Sequence, residues 1–62
     1  MRLTLNGEMR ETAAATVAAL VAELGLDVRK VAVERNLEIV PRSLYAEAGL
    51  ADGDRIEIVH FI

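Results

Sequence analysis

Residues 52–62 read DGDRIEIVHFI, and this stretch decides how the chain must fold. An acidic turn, Asp52-Gly53-Asp54, leads into residues that alternate between charged and apolar and then become mostly apolar. Chain ends are usually polar and poorly ordered unless something holds them in place. We therefore expect this last strand to be buried in a sheet, presented to a partner, or both.

Size and composition restrict the chain to one small domain with an aliphatic core. Its 62 residues include no cysteine and one histidine, so neither disulfides nor a cysteine- or histidine-rich metal site can stabilise it. The composition is 53% hydrophobic, yet only Tyr45 and Phe61 are aromatic. A domain of this size buries only about 60% of its unfolded surface, so its stability depends on packing of Val, Leu, Ile and Ala.

Charge and hydropathy exclude two classes of partner. The net charge is −3, and the seven basic residues are scattered without interleaved aromatic residues. Nucleic-acid binding requires clustered positive charge, so we expect no nucleic-acid partner. No apolar run approaches the roughly 20 residues of a membrane span, and no signal-peptide pattern is present, which predicts a soluble cytoplasmic protein with no membrane partner. A mildly acidic surface suits a basic protein partner.

The chain begins with a pattern typical of a β-hairpin. Residues 1–5 alternate between polar and apolar, and Asn6-Gly7 is a strong turn signal. A two-residue turn would pair Leu5 with Glu8, whereas a three-residue loop would pair Leu5 with Met9. Because the apolar pattern usually sets the register, the sequence favours the longer loop.

A helix is predicted over residues 16–24, because its apolar residues fall on one stripe: Val17, Leu20, Val21 and Leu24. Thr16 is a suitable N-cap, and Thr12 is an alternative start because residues 13–15 are alanines that favour helix. Gly25 is expected to end the helix in a left-handed conformation.

The remaining elements are short. Alternation predicts a strand at Val31–Arg35 and another at Glu38–Val40, which ends at Pro41 because proline has no amide for the ladder. Ser43 is predicted to cap a helical turn that reaches Ala48. The last strand is predicted over residues 55–62.

This order of elements predicts a single α+β domain spanning residues 1–62. The last strand can lie beside the first, in the middle of a mixed four- to five-stranded sheet, with the main helix across one face. That arrangement is the β-grasp, or ubiquitin-like, fold.

No catalytic or metal-binding set is apparent, which predicts that the chain is not an enzyme. A catalytic His60 would need an orienting partner, and Glu57 should point to the opposite face of the same strand. Asp52 and Asp54 flank a glycine, as carboxylates in turns often do, and a metal ion would need several more oxygen ligands.

The last strand carries the best candidate for a binding surface. If Ile56 and Ile58 face the helix, then Val59 and Phe61 lie on the opposite face, next to the charges of Arg55 and Glu57 on that strand. A chain this short has no second layer to cover that face. Exposed apolar groups with a polar rim usually mark an interaction site.

The chain resembles the sulfur-carrier protein of thiamine biosynthesis, a prokaryotic ubiquitin-like family. The resemblance covers nearly the whole chain and rests on four segments: Leu5-Asn6-Gly7-Glu8, Thr16-Val17 before Leu24-Gly25-Leu26, Val33 through Ile39-Val40-Pro41-Arg42, and Ala51-Asp52-Gly53-Asp54-Arg55-Ile56-Glu57-Ile58.

The resemblance implies chemistry performed by partner enzymes on the end of the carrier. In that family an adenylating enzyme, related to the ubiquitin-activating enzymes, uses ATP to activate a C-terminal Gly-Gly. Sulfur then replaces an oxygen to give a thiocarboxylate, and thiazole synthase takes up the sulfur. The carrier itself binds no cofactor. The catalytic glycine is absent from this sequence, which reads to Ile62, so we expect the encoded protein to continue with glycines.

The family's partner surface, carried over, falls on Val59, Phe61 and Ile62, with Arg55 and the Pro41-Arg42 corner as its rim. Phe61→Asp should then leave the fold mostly intact but weaken binding of the adenylating enzyme. Two other functions fit the same fold. One is the small subunit of molybdopterin synthase, which shares the tail chemistry, and the other is a β-grasp module that only binds proteins.

Overall fold

The computed structural model describes residues 1–61, and these form five strands, one α-helix and two short 3-10 helices. The elements in chain order are β1 (Arg2–Leu5), β2 (Glu8–Glu11), α1 (Val17–Glu23), a 3-10 helix (Val28–Lys30), β3 (Val31–Arg35), β4 (Glu38–Val40), a second 3-10 helix (Arg42–Leu44) and β5 (Arg55–His60).

The strands form one mixed sheet in the order β2-β1-β5-β3-β4. Strand β5 runs parallel to β1 and antiparallel to β3, so the last strand occupies the centre of the sheet. Helix α1 covers one face. The β-grasp fold predicted from the sequence is therefore confirmed.

The predicted register of the first hairpin is wrong. Strands β1 and β2 are joined by a two-residue turn, so that Leu5 lies opposite Glu8 and Thr4 lies opposite Met9. Both turn residues have positive φ, 49° at Asn6 and 83° at Gly7, which is the type I′ geometry that matches strand twist. Turn geometry thus prevailed over apolar pairing, because β2 is an edge strand with little apolar surface to bury.

An ion pair explains how this register is tolerated. Arg10 lies opposite the buried Leu3 and so faces the helix, where its guanidinium lies 3.0 Å from the Glu23 carboxylate on α1. The Thr12 hydroxyl donates to the same carboxylate at 2.7 Å. These hydrogen bonds, first from Thr12 and then from Arg10, lower the pKa of Glu23 below its usual range.

Helix α1 begins and ends as its sequence predicts. The Thr16 hydroxyl accepts a hydrogen bond from the Ala19 amide, and Thr16 rather than Thr12 is the N-cap. Gly25 has a φ of 73° and its amide donates to Ala22, while the Leu26 amide donates to Val21. This pair of bonds is the Schellman arrangement, which satisfies the free carbonyls of the last turn.

The core lies between α1 and the covered face of the sheet. Its buried apolar residues are Leu3, Ala14, Val17, Leu20, Val21, Val31, Val33, Tyr45, Ile56 and Ile58. Tyr45 reaches this layer from the segment after β4, and its hydroxyl donates to the Val31 carbonyl at 3.2 Å. The carbonyl of Tyr45 in turn accepts from the Ala18 amide at 2.8 Å, which ties that segment to the start of α1.

The segment after β4 differs from its prediction. The second 3-10 helix begins at Arg42, and Ser43 lies inside it rather than at its cap. Pro41 holds a φ of −61° that suits the residue before a helical turn, and its carbonyl accepts from the Leu44 amide at 2.9 Å. The first 3-10 helix was not predicted. The Asp27 side chain starts it by accepting from the Arg29 amide.

Candidate interaction surface at the end of β5

The sheet face opposite α1 carries no covering layer among residues 1–61. We call it the open face, and its side chains are identified by pairing and alternation: Arg2, Thr4, Met9, Glu11, Ala32, Glu34, Ile39, Arg55, Glu57 and Val59. In β5 the alternation is clear, because Ile56 and Ile58 are buried while the residues between and after them are not. The predicted facing of β5 is therefore confirmed.

Val59 and Phe61 form the apolar part of this surface at the end of β5. Val59 is 62% exposed and lies opposite Ala32 on β3. Phe61 is 45% exposed, and its amide still donates to the Lys30 carbonyl at 2.9 Å, so strand-like pairing continues one residue past β5. Ile62, the third residue predicted here, lies outside the described residues.

Charged groups lie beside the apolar pair. Arg55 and Glu57 form the predicted charge pair on the open face, with 3.5 Å between a guanidinium nitrogen and a carboxylate oxygen. Glu57 lies directly opposite Glu34 on β3, so two carboxylates face each other across neighbouring strands. Like charges in this position repel, and a cation from outside would relieve the repulsion.

The Pro41-Arg42 corner is only partly brought to this surface. Continuing the β3–β4 register by one residue places Pro41 level with Ala32 and Val59, about 10 Å from Val59 across two strand spacings. Arg42 is exposed and starts the 3-10 helix that leads to the helix side of the sheet. Pro41 therefore lies at the rim of the open face, whereas Arg42 starts the segment that turns away from this face.

Sequence reasoning missed Ile39. It is 77% exposed and pairs with Glu34, which places it on the open face in the same row as the two carboxylates. The signal was available, because Val40 packs against the core and its neighbour in a strand must point the other way.

A shallow groove extends the apolar surface around the β4 edge. It has a volume of about 380 Å³ and lies between β4 and the segment that follows it. Ile39, Pro41 and Leu44 line it, together with the carboxylates of Glu38 and Glu47. Because Ile39 and Pro41 border both features, the groove and the open face form one continuous surface.

Asp54 fixes the start of β5 relative to this surface. It is buried and accepts hydrogen bonds from Arg35 Nε at 2.9 Å, Asn36 Nδ2 at 3.0 Å and the Ala51 amide at 2.8 Å. Burial favours a higher pKa, but these three hydrogen bonds outweigh it and lower the pKa of Asp54. The carboxylate therefore has a structural role in the turn.

The described residues contain no group of three or more His, Asp or Glu side chains that could hold a metal ion. His60, the only histidine, is exposed at the end of β5. Within residues 1–61 no helix is long and apolar enough to cross a membrane.

The central β5 strand, the single covering helix and the exposed surface together define a ubiquitin-like β-grasp protein. The chain belongs to the ThiS family, whose model matches residues 3–62. It is 47% identical over 47 residues to the sulfur carrier protein ThiS of Bacillus subtilis, covering 76% of this chain and 71% of that protein.

Solved structures agree with this assignment. The crystal structure of the thiamine biosynthesis protein ThiS from Geobacter metallireducens superposes with a TM-score of 0.86 at 30% identity, covering all of this chain and 96% of that one. The solution structure from the same organism gives a TM-score of 0.83, covering all of this chain and 85% of that one.

Two longer relatives carry the same module. The chain is 62% identical over 63 residues to a thiazole synthase of Paramagnetospirillum magneticum and 44% identical over 63 residues to one of Magnetococcus marinus. In both cases the match covers all of this chain but only 19% of the relative. A ThiS-like segment and the remainder of a thiazole synthase thus share one polypeptide in those proteins.

Proposed function

We propose that this chain is a sulfur carrier of thiamine biosynthesis that delivers its sulfur to thiazole synthase. The observation that carries the proposal is the family match over residues 3–62, in a fold whose central strand ends beside exposed apolar side chains. The relatives named thiazole synthase favour the thiamine pathway over the molybdopterin pathway.

The proposed chemistry takes place on a C-terminal Gly-Gly, the feature that the family resemblance implies. A partner enzyme related to the ubiquitin-activating enzymes binds ATP, and a C-terminal glycine carboxylate of the carrier attacks the α-phosphorus to release pyrophosphate. A sulfide-level nucleophile then attacks the acyl carbon and displaces AMP, which leaves a thiocarboxylate. Glycine suits this task, because it lacks a side chain and can adopt conformations that pass through a narrow channel. The carrier supplies recognition and the partner supplies catalysis.

The open face near Val59 and Phe61 is the surface through which the carrier docks on its partners. Burial of its apolar centre stabilises the complex. Charged contacts with Arg55 and with the opposed carboxylates Glu34 and Glu57 set the orientation of the partner. Apolar centres with polar rims are typical of such interfaces. Phe61 is a large, partly exposed apolar side chain at the end of β5, so it is the residue on which docking should depend most.

Intact-mass measurement of the natural gene product tests the chemistry. The protein should carry C-terminal glycines, and incubation with the adenylating enzyme, ATP and sulfide should raise its mass by the difference between sulfur and oxygen. A gene product that ends at Ile62, or one whose mass is unchanged, contradicts the proposal.

Phe61→Asp tests the surface. This variant should fold, because Phe61 is nearly half exposed, but it should bind the adenylating enzyme at least ten-fold more weakly in calorimetric titration. Met9→Asp is the matched control, since Met9 is also exposed on the open face but lies on the far edge strand β2. Equal weakening by both changes, or unfolding of the Phe61 variant alone, contradicts the assigned surface.

A further inference from the structure

Strand β5 extends beyond the point at which its neighbour β1 ends. The last paired residues are Leu5 and Ile56, and the Asn6 amide donates to the Ile56 carbonyl at 2.9 Å. The chain then leaves the sheet through the Asn6-Gly7 turn, whereas β5 continues to His60. On its β1 side, the end of β5 therefore lacks a backbone neighbour among the described residues.

The side chain of Asn6 takes the place of that missing neighbour. Its Oδ1 accepts from the Ile58 amide at 2.8 Å, and its Nδ2 donates to the Ile58 carbonyl at 3.2 Å. One side-chain amide thus reproduces both hydrogen bonds that a paired strand would give to Ile58. On the other side β3 continues the pairing as far as Val31 opposite His60.

Turn preference alone does not account for this contact. Asparagine is common in type I′ turns because it tolerates positive φ, and Asn36 occupies the same position in the β3–β4 turn with a φ of 52°. The Asn36 side chain, however, binds Asp54 and the Arg55 amide at the start of β5. Asn6 and Asn36 both adopt the positive φ that the turn requires, but only Asn6 directs its side-chain amide to the end of β5.

We propose that Asn6 is a positioning residue that holds the β1 side of β5 at Ile58 and thereby fixes the position of the strand end from which the following chain departs. The role rests on the proposed function, because partner enzymes must take up that following chain as their substrate. A segment that leaves a fixed strand end is already ordered near the docking surface. A segment that leaves a frayed end must be ordered on binding, which weakens productive binding.

Asn6→Gly in the full natural chain is the test, because glycine accepts the φ of 49° and lacks the side-chain amide. We expect hydrogen exchange at the Ile58 amide to accelerate at least ten-fold, while amides in the centre of β3 remain protected. We also expect KM for the carrier in the ATP-dependent adenylation reaction to rise several-fold with kcat unchanged. Asn6→Asp keeps an acceptor for the Ile58 amide and should restore part of its protection.

Asn36→Gly is the matched control. It makes the same change at the same turn position, but removes contacts at the start of β5. It should lower the stability of the fold and leave KM unchanged. If Asn6→Gly leaves Ile58 exchange or KM at the wild-type value, or if Asn36→Gly raises KM equally, the positioning role is overturned. Failure of the wild-type chain to be adenylated at all overturns the proposed function instead.

Discussion

Gly7 and Leu37 occupy the same position in two hairpin turns of the same type. Each follows an asparagine with positive φ, and each is itself left-handed, with a φ of 83° at Gly7 and 71° at Leu37. Glycine adopts this conformation without strain, whereas a residue with a Cβ atom is disfavoured there by about 1–2 kcal/mol. The second hairpin therefore stores strain that the first one avoids.

Leu37→Gly should stabilise the protein by about 1 kcal/mol, because relief of strain exceeds the extra entropy that glycine loses on folding. Little burial is lost, since Leu37 is 70% exposed. The expected rise in Tm is about 4–8 °C for a domain of this size, measured by thermal unfolding.

The reverse change tests the same explanation at the other turn. A Cβ atom at Gly7 would meet no heavy atom within 4 Å, so Gly7→Leu introduces strain with no clash at its Cβ atom. It should destabilise the fold by a comparable amount. A Leu37→Gly variant that melts below the wild type would show that Leu37 contributes packing that its exposure does not reveal.

Glu34→Gln should stabilise the isolated protein by about 0.2–1 kcal/mol, because it removes the repulsion between two directly opposed carboxylates. Urea unfolding at low ionic strength measures the gain. The gain should shrink in about 1 M salt, where the screening length falls to roughly 3 Å. Glu8→Gln changes the net charge equally and serves as control, and an equal gain from it would point to net charge instead of the pair.

Asp54→Asn should cost about 1–3 kcal/mol at pH 7, because the hydrogen bond and ion pair with Arg35 are weakened in a buried site. The pKa of Asp54 is lowered in the folded state, so its contribution is complete above the unfolded value of about 4 and is lost as pH falls through the folded value. Urea unfolding from pH 7 to pH 2.5 should show the wild type and variant converging at acid pH. A constant difference would contradict this assignment.

Ile39→Lys should leave the fold intact, because its side chain is largely exposed on an edge strand, but should weaken docking of the proposed partner enzymes by about 1 kcal/mol or more. Met9→Lys places the same charge on the opposite edge of the open face and should have a smaller effect. Titration calorimetry against the adenylating enzyme and thiazole synthase measures both. A larger effect of Met9→Lys would move the docking surface toward β1 and β2.

Much of the fold could be predicted because local signals and burial agree. Short-range sequence patterns predict three features of α1: its buried stripe, its Thr16 cap and the left-handed Gly25 that ends it. The central position of β5 followed from its apolar residues, which need a neighbour on each side.

The errors arose where two local signals competed, or where the relevant contact lies elsewhere in the chain. The first hairpin took the tight turn because the type I′ preference of Asn6-Gly7 outweighed apolar pairing. The register is tolerated because Arg10 pairs with Glu23 on α1, a partner 13 residues away that no local pattern indicates. Ser43 is not the N-cap, because the 3-10 helix begins at Arg42, directly after Pro41. The facing of Val59 could be predicted from alternation, but the position of Ile39 on the open face required the register of β4.

The near absence of aromatic residues makes the molecule well suited to optical study. Tyr45 is the only tyrosine, it is buried, and the chain contains no tryptophan. Its ultraviolet emission therefore reports on the integrity of the interior alone. A tryptophan introduced in place of Val59 would be the sole tryptophan of the chain, so its emission could follow association with a partner that lacks tryptophan. In the unsubstituted chain, Tyr45 monitors unfolding.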